Sequence, residues 1–261
     1  MHGIGNDYVY VDLFDQILTK DIHALAVEVS RPHFGIGSDG LILIERSDVA
    51  DAKMRIFNAD GSEAKMCGNG IRCVGKYLYD AKRCEKDIIT IETLSGIKPL
   101  EMQIVDGVCA GATVDMGEPR WGEQAGCIQA QGHSWRFREV NMGNAHAVLF
   151  LPTLPDNQVF ESIGKIIECD AHFPDRANVE FCLVTASDSI SVRVWERGSG
   201  ETLACGTGAC AVVVAGVVEG VCARHCSVTL PGGTLRIHWN EKDNHVYMTG
   251  PATTAFAGTW Q

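Results

Sequence analysis

The sequence predicts an α+β protein of two similar, pseudo-symmetric domains, in each of which a strand-rich, barrel-like sheet surrounds one central helix. Three observations lead to this class. Landmark residues recur at one fixed spacing, both halves place their elements in the same order, and residues 209–218 form a helical run without a charged side chain. A helix that is apolar on every side is buried on every side. This one is too short to cross a membrane, so we expect a curved sheet to cover it.

The recurring landmark is a glycine-rich turn that carries a cysteine. Residues 67–70 read Cys-Gly-Asn-Gly, and residues 205–208 read Cys-Gly-Thr-Gly, 138 positions further along the chain. The same spacing separates Asn144 from Asn6, and each asparagine follows a glycine. One offset shared by separate landmarks indicates a duplication into halves of ordinary domain size. We expect the chain to cross from one half to the other within the polar, irregular stretch 117–140.

Both halves read as the same succession of elements. Apolar runs bounded by turn residues predict strands at residues 8–12, 40–45, 54–57, 88–92, 147–150, 179–184, 190–195 and 227–230. Apolar residues at helical spacing predict helices at residues 21–30, 71–82, 161–168 and 209–219. The second half has a further strand-like segment, 135–140, before its Gly-Asn, so we expect a few native residues to precede Met1.

Composition narrows the class of protein. The formal net charge of −11 argues against nucleic acid or an anionic membrane as the main partner, and a hydrophobic content of 46% argues against disorder. No basic region followed by an apolar one opens the chain, so we expect no signal peptide and a cytoplasmic location. In a reducing cytosol most of the 11 cysteines are expected to be small buried hydrophobes. Their spacing does not form zinc knuckles, so no metal site is predicted.

A cysteine at a helix N-terminus meets backbone N–H groups and the positive end of the helix dipole, which favour thiolate over thiol. Such sites lower a thiol pKa from about 8.5 to roughly 3.5–7.5. The glycines that follow let the same N–H groups hold a carboxylate. If the two turns face each other, a thiolate lies on one side of the neighbouring carbon and a thiol on the other. That arrangement suits removal of an α-proton from one face and return of a proton to the other.

The motifs around these turns resemble the diaminopimelate epimerase family over essentially the whole chain. The segments that carry the resemblance are Gly5-Asn6-Asp7, residues 58–63 before the turn 67–70, residues 142–146 (Met-Gly-Asn-Ala-His), Asn178-Val179, residues 196–202 before the turn 205–208, and residues 248–251 (Met-Thr-Gly-Pro). The resemblance implies two barrels with a central helix each: residues 1–118 with a returning C-terminal strand at 252–261, and residues 119–251.

The resemblance also implies an isomerase that interconverts LL- and meso-diaminopimelate without pyridoxal phosphate, in lysine and cell-wall precursor synthesis. Cys67 and Cys205 would be the two acid/base residues, with His146 and Glu196 beside the thiols setting their protonation. The implied substrate-binding residues are Asn6, Asn58, Gly68, Asn69, Asn144, Asn178, Glu196, Arg197, Gly206 and Thr207. The resemblance implies no cofactor and a homodimer, because family members are commonly homodimers.

Other interpretations stay open on the residues alone. Asn58 fits a tight turn as well as a ligand contact. Gly40 stands where some family members use a glutamine near the substrate, and it is equivalent to Asn178 in the duplication. A related two-cysteine racemase of the proline or histidine kind would use the same thiols. A thiol redox or binding protein, in which Cys67 and Cys205 form a disulfide, is the alternative from a different class.

Overall fold

The computed structural model of the chain describes residues 1–260. They form two compact units: unit 1 contains residues 1–115 and the C-terminal residues from Thr249, and unit 2 contains Met116–Met248. The expected crossings, after residues 118 and 251, each lie three residues further along the chain than these boundaries. Strands dominate both units and helices are few, so the predicted α+β class is confirmed.

Unit 1 is a strand-rich unit with two helices. Its elements are β1 (His2–Gly3), β2 (Asn6–Asp7), β3 (Val9–Asp12), α1 (Ile22–Ser30), β4 (Gly40–Glu45), β5 (Ala52–Asn58), β6 (Glu63–Ala64), α2 (Gly68–Asp80), β7 (Ile88–Thr93), β8 (Gly96–Val105) and β9 (Val108–Asp115). β3 runs parallel to β4, β4 antiparallel to β5, and β5 parallel to β7. β7, β8 and β9 continue as an antiparallel meander.

Unit 2 repeats this plan with three strands before it. Its elements are β10 (Arg120–Trp121), β11 (Gly126–Ala130), β12 (His133–Asn141), β13 (Ala145–Phe150), α3 (Asn157–Glu168), β14 (Asn178–Ala186), β15 (Ser189–Glu196), β16 (Gly200–Thr202), α4 (Gly206–Val218), β17 (His225–Leu230) and β18 (Gly233–Trp239), and the second boundary falls within β19 (Val246–Pro251). β13, β14, β15 and β17 pair parallel, antiparallel and parallel in turn, as β3, β4, β5 and β7 do.

The duplication extends to the pairing register of the strands. Leu41 pairs with Phe57 in unit 1, and Val179 pairs with Trp195 in unit 2. Each residue of the second pair lies 138 positions after its counterpart in the first, which is the offset of the two cysteine turns. A shift of one residue would exchange the two faces of a strand, so equal registers give both units the same set of inward-facing positions.

The helix after each cysteine turn is the central helix of its unit. α4 is buried continuously from Gly208 to Gly216 and contacts β12, β13, β14, β17 and β18. α2 contacts β7, β8 and β9 and buries two cations, Arg72 and Lys76. These cations are satisfied by hydrogen bonds: Arg72 donates to Asn69 Oδ1, and Lys76 donates to Asp80 and to a backbone carbonyl.

The outer helices cover the other face of each sheet. Leu25, Ala26 and Val29 of α1 pack on Leu41 and Leu43 of β4. In unit 2 the corresponding cluster joins α3 to β13 and β14, and its members include Phe160, Ile163, Ile167, Leu149 and Phe181. An aspartate caps each helix: Asp21 accepts from Ala24 N, and Asp156 accepts from Val159 N.

Two expectations are corrected by the fold. The stretch 117–140 is not an irregular crossing, because it contains β10, β11 and most of β12. Its polar side chains belong to strands: Arg138 is buried beside Phe137 and pairs with Glu219. The second correction concerns helix starts. α2 and α4 begin at Gly68 and Gly206, three residues before the predicted starts, and α3 begins at Asn157 rather than 161.

The C-terminal residues of unit 1 are hydrogen-bonded to its first and last strands. Thr249 Oγ1 lies 2.8 Å from Thr113 Oγ1, and Ala252 N donates to Ala110 O at 3.1 Å. His2 and Thr253 exchange two backbone hydrogen bonds of 2.9 Å. Among residues 1–260, none of the helices is long and apolar enough to span a bilayer.

Candidate functional site

The first thiol turn lies where β6 leads into α2. Cys67 is the N-cap of α2, with extended backbone angles, and its sulfur accepts a hydrogen bond from Gly70 N at 3.3 Å. Gly68 and Asn69 form the first turn of the helix, where backbone N–H groups have no acceptor within the helix itself. The turn therefore presents a sulfur and a helix N-terminus side by side, the arrangement that binds anions.

Asn6 connects this thiol to a carboxylate. The Cys67 thiol donates to Asn6 Oδ1 at 3.4 Å, and Asn6 Nδ2 donates to Asp39 Oδ2 at 2.6 Å. The same Asp39 oxygen accepts from Asp7 N at 3.0 Å. Burial raises the pKa of Asp7, and the charge of Asp39 raises it further. Asp39 fixes the orientation of the Asn6 amide, so that its oxygen faces the sulfur.

The other residues predicted in unit 1 have structural contacts of their own. Asn58 Nδ2 donates to Ser62 Oγ at 3.0 Å, which closes the turn between β5 and β6. Asn69 is 3% exposed, and its amide oxygen accepts from Arg72 at 3.0 Å, so this oxygen is engaged within α2. A Cβ at Gly40 would lie 2.1 Å from Phe57 O, so no side chain fits there.

The second thiol turn is built in the same way in unit 2. Cys205 is the N-cap of α4, and its sulfur accepts from Gly208 N at 3.4 Å and lies 3.7 Å from Thr207 Oγ1. The residue is only 6% exposed. Its neighbours on the helix, Gly206 and Thr207, provide the first-turn N–H groups of α4.

The expected lowering of the thiol pKa is wrong for Cys205. Burial raises the pKa of this thiol well above its ordinary value, and the charges of Glu196 and Glu180 raise it further. Hydrogen bonds from Thr207 and Gly208 act in the opposite direction but do not outweigh burial. The helix dipole favours the thiolate by at most about 2 kcal/mol, whereas the desolvation of an ion costs several kcal/mol.

A chain of side chains leads from Thr207 into the interior of unit 2. Asn144 Nδ2 donates to Thr207 Oγ1 at 3.4 Å, and Asn144 Oδ1 lies 3.0 Å from His146 Nε2. The other ring nitrogen of His146 lies 2.6 Å from Glu180 Oε1. Within unit 2, His146 therefore reaches the Cys205 sulfur through Asn144 and Thr207 and not directly.

Asn178, Glu196 and Arg197 meet where β15 ends. The side chain of Asn178 is buried, accepts from Arg197 N at 3.0 Å and donates to Ala145 O at 3.2 Å. Glu196 Oε2 accepts from Thr202 Oγ1 at 2.8 Å. The exposed Arg197 side chain donates to Asp175 O at 3.0 Å. These contacts bring Asn178, Glu196 and Arg197 together around one turn of backbone.

Three acidic residues at these turns were missed by sequence reasoning: Asp39, Glu168 and Glu180. Glu168 is 5% exposed and accepts from Trp195 Nε1 at 2.7 Å and from Gly198 N at 2.9 Å, on either side of Glu196 and Arg197. Glu180 could have been recognised from the sequence, because it is the charged residue in an otherwise apolar strand. Among residues 1–260, no group of three or more His, Cys, Asp or Glu side chains could hold a metal ion.

The fold and these turns place the protein in a class whose solved members have two similar α+β domains. One is a probable proline racemase from Agrobacterium radiobacter K84, with a TM-score of 0.71 and 16% identity over 96% of this chain and 88% of that one. At this identity the likeness concerns the fold alone.

The family model of diaminopimelate epimerase matches residues 1–122 and 138–255. A diaminopimelate epimerase from Methanococcus maripaludis strain C5 is 50% identical over 99% of this chain and 97% of its own length. One from Parabacteroides distasonis is 49% identical over 99% of this chain and 95% of its own. The chain therefore belongs to the diaminopimelate epimerase family, and it is an isomerase.

Proposed function

We propose that the protein interconverts LL- and meso-diaminopimelate by moving a proton at the α-carbon between two cysteines, Cys67 and Cys205. The observation that carries this proposal is the matched pair of helix N-caps. Each unit sets one sulfur at the start of its central helix, with the same backbone hydrogen bond from the residue three positions on. A binding protein needs no titratable sulfur at an anion-binding turn, whereas acid–base catalysis does.

The different surroundings of the two sulfurs support different resting states. Since the pKa of Cys205 is raised, this residue holds its proton near neutral pH and serves as the acid. Cys67, which is less buried than Cys205, would then take the α-proton as thiolate from the substrate that Cys205 protonates. Each turnover exchanges one proton for another, so the two sulfurs end with exchanged roles. The reverse direction starts from that state.

Backbone and side-chain groups at both turns would hold the substrate. The N–H groups of Gly68, Asn69, Gly206 and Thr207 suit the carboxylate beside the reacting carbon. Arg197 would grip the distal carboxylate through its planar guanidinium. The asparagine amides at positions 6, 58, 144 and 178, together with Glu196, would bind the amino groups and the remaining oxygens. The protein would act without pyridoxal phosphate, as a cytoplasmic homodimer, in lysine and peptidoglycan precursor synthesis.

The deciding experiment is solvent exchange. The protein is incubated with LL-diaminopimelate in deuterated water, and α-deuterium and the meso isomer are followed by NMR and chiral chromatography. We expect both to appear. Exchange with proline or histidine but not with diaminopimelate would instead identify the related racemase. If no amino acid exchanged its α-proton, the thiol redox or binding protein would remain as the alternative.

The assignment of the two sulfurs is tested with Cys67→Ser and Cys205→Ser. Each variant should lose at least about a thousandfold in kcat, because a hydroxyl does not titrate near neutral pH. Cys127→Ser, at an exposed position on β11, is the matched control and should keep its turnover. A serine variant of either turn that keeps most of the activity would remove that residue from the mechanism.

A further inference from the structure

Glu180 is a buried carboxylate in the middle of an apolar strand. Its side chain is fully buried, as is that of His146, whose Nδ1 lies 2.6 Å from Glu180 Oε1. The second oxygen, Oε2, has no hydrogen-bond partner among the described residues. Burying a carboxylate with one oxygen unsatisfied is costly, so its retention calls for a reason other than packing.

The duplication shows that the fold does not need this charge. The residue 138 positions before Glu180 is Ile42, which lies at the equivalent place on β4 and is fully buried. Both residues touch the last glycine of their thiol turn. A Cβ at Gly70 would lie 2.6 Å from Ile42 Cδ1, and a Cβ at Gly208 would lie 2.7 Å from Glu180 Oε1. An aliphatic side chain therefore fills the same position in one unit that a carboxylate fills in the other.

The contacts of His146 and Asn144 allow two directions of hydrogen bonding. With protons on both ring nitrogens, His146 donates to Glu180 and to Asn144 Oδ1. Asn144 Nδ2 then donates to Thr207 Oγ1, and the Thr207 hydroxyl proton points to the Cys205 sulfur. When Nε2 carries no proton, it accepts instead. The Asn144 amide turns over and accepts from Thr207, so the hydroxyl presents its oxygen to the sulfur.

We propose that Glu180 anchors a directional hydrogen-bond relay, through His146, Asn144 and Thr207, that determines whether Thr207 donates to or accepts from the Cys205 sulfur. Glu180 is a positioning residue, because it acts through His146. Its carboxylate accepts from Nδ1 while Nε2 donates to Asn144 Oδ1, and that arrangement directs the hydroxyl of Thr207 toward a thiolate. Unit 1 lacks this relay, since Tyr8 and Ile42 stand where His146 and Glu180 stand.

The relay can be distinguished from a direct charge effect, because the charge of Glu180 acting through space raises the pKa of Cys205. The titratable groups of unit 2 that face Cys205 are Glu180 on β14 and Glu196 on β15, and both charges disfavour the thiolate. His146 on β13 lies behind Asn144. If Glu180 acted only through space, Glu180→Gln would make Cys205 ionise at lower pH. The relay predicts the opposite, because without the carboxylate a ring that keeps its proton on Nδ1 leaves Nε2 as an acceptor, and Thr207 then has no proton to donate to the sulfur.

The test follows Cys205 in the absence of substrate. Its rate of modification by methyl methanethiosulfonate is measured against pH, with peptide mass spectrometry to isolate this cysteine. In Glu180→Gln we expect the midpoint to rise by about one pH unit, the value of one lost hydrogen bond to a charged sulfur. In a Thr207→Val background only the direct field of Glu180 remains, so the same substitution should not raise the midpoint. A midpoint that falls in the protein that keeps Thr207, or an equal shift in both backgrounds, would overturn the relay.

A second measurement uses the unaltered protein. Nitrogen-15 NMR of histidine-labelled enzyme should show a proton on Nε2 of His146, and Glu180→Gln should remove it. A His146 without a proton on Nε2 in the unaltered protein would contradict the proposal. Glu219→Gln is the matched control, because Glu219 also pairs with a buried cation but lies about 20 Å away, at the far end of α4.

The relay depends on the proposed function only for its role in catalysis, and its hydrogen bonds do not depend on that function. Since the titration and the NMR experiment need no substrate, they report on the relay even if diaminopimelate is not epimerised. Conversely, solvent exchange with normal kinetics in Glu180→Gln would leave the two-cysteine mechanism standing and remove the relay from it.

Discussion

At the scale of single residues, both thiol turns require a last residue without a side chain. Gly208 has ordinary helical geometry, so its backbone does not require glycine. Space does, because a Cβ would meet Glu180 Oε1 at 2.7 Å and the Cys205 sulfur at 3.1 Å. Glu180 cannot retreat easily while His146 holds the same oxygen. The glycine therefore lets the sulfur and the carboxylate approach one helix turn together.

Gly208→Ala should lower both stability and activity. Alanine gains about 0.8–1 kcal/mol of helix propensity, but overpacking costs typically about 1–3 kcal/mol, so we expect a net loss of up to about 2 kcal/mol. Urea unfolding measures the loss, and kcat for epimerisation should fall with it.

The control for this prediction is Gly208→Ala combined with Glu180→Ala. Removing the carboxylate makes room for the new methyl group, so the two losses of stability should not add. Strictly additive losses would mean that the clash with Glu180 is not the cause.

The residues that the sequence predicted best are those fixed by local geometry. Cys67 and Cys205 were expected at helix N-termini and are the N-caps of α2 and α4. Asp39 could not be predicted, because its hydrogen bonds to Asn6 and Asp7 join residues more than 30 positions apart. Glu180 was within reach of the sequence. Placing residue 180 over residue 42 with the known offset exposes a glutamate where the other half has an isoleucine.

At the scale of elements, the end of α3 supports the turn that carries Glu196 and Arg197. Glu168 lies in the last turn of α3, at the negative end of the helix dipole, where a carboxylate is disfavoured. Its two oxygens accept from Trp195 Nε1 and Gly198 N, and Arg176 lies 3.4 Å from it. Glu168 therefore accepts one hydrogen bond from each side of this turn, the first from a side chain and the second from the backbone.

Glu168→Ala should destabilise unit 2 and weaken substrate binding. Two donors lose their acceptor, at about 1–3 kcal/mol each, so we expect a loss of about 2–6 kcal/mol in urea unfolding. KM should rise more than kcat falls, because the loosened turn carries Arg197. Glu161→Ala, on the exposed face of the same helix, should leave both quantities unchanged. An equal effect at the two positions would show that α3 tolerates neither change for reasons of helix stability alone.

Helix starts were the least accurate element predictions, and the cause is physical. α2 and α4 open with Gly68-Asn69-Gly70 and Gly206-Thr207-Gly208, residues that favour turns over helices when read alone. The N-cap sulfur and the sheet around each helix override that preference. For α3, the signal was the cap residue Asp156, which lies five positions before the predicted start at residue 161.

At the scale of the whole molecule, buried thiols link stability to alkaline pH. Burial raises the pKa of Cys73, Cys182 and Cys205 above the ordinary value of 9.0. The folded protein therefore keeps protons that the unfolded chain releases. The stability this contributes is complete below pH 9 and is lost as the pH rises toward the folded-state pKa values.

We expect the free energy of unfolding to fall above pH 9, by about 1.4 kcal/mol per pH unit for each such thiol. Urea unfolding between pH 7 and 10.5 measures the slope. Cys182→Ala should reduce the slope by one thiol's share without moving its onset. A free energy of unfolding that stays level to pH 10.5 would show that these thiols ionise equally in the folded and unfolded chain.

The architecture was largely predictable because the chain contains it twice. One offset predicted two units, and the pairing of Leu41 with Phe57 and of Val179 with Trp195 reproduces that offset in the sheets. The strands β10 and β11 were hidden because they have no counterpart in the first half to compare with, whereas the predicted strand-like segment 135–140 lies within β12. β12 moreover buries Arg138, whose charge predicts a surface position unless its partner Glu219 is known.

The burial of α4 also governs how unit 2 exchanges its amide hydrogens with solvent. Between Gly208 and Gly216 the helix meets water on no side, so those amides become accessible only in the largest openings of the unit. Cys205 lies at the start of this slowest-exchanging segment, whereas the side chain of Arg197 is exposed. The proposed proton donor is thus held by the most stable part of the unit, and the proposed substrate-binding arginine by a surface turn.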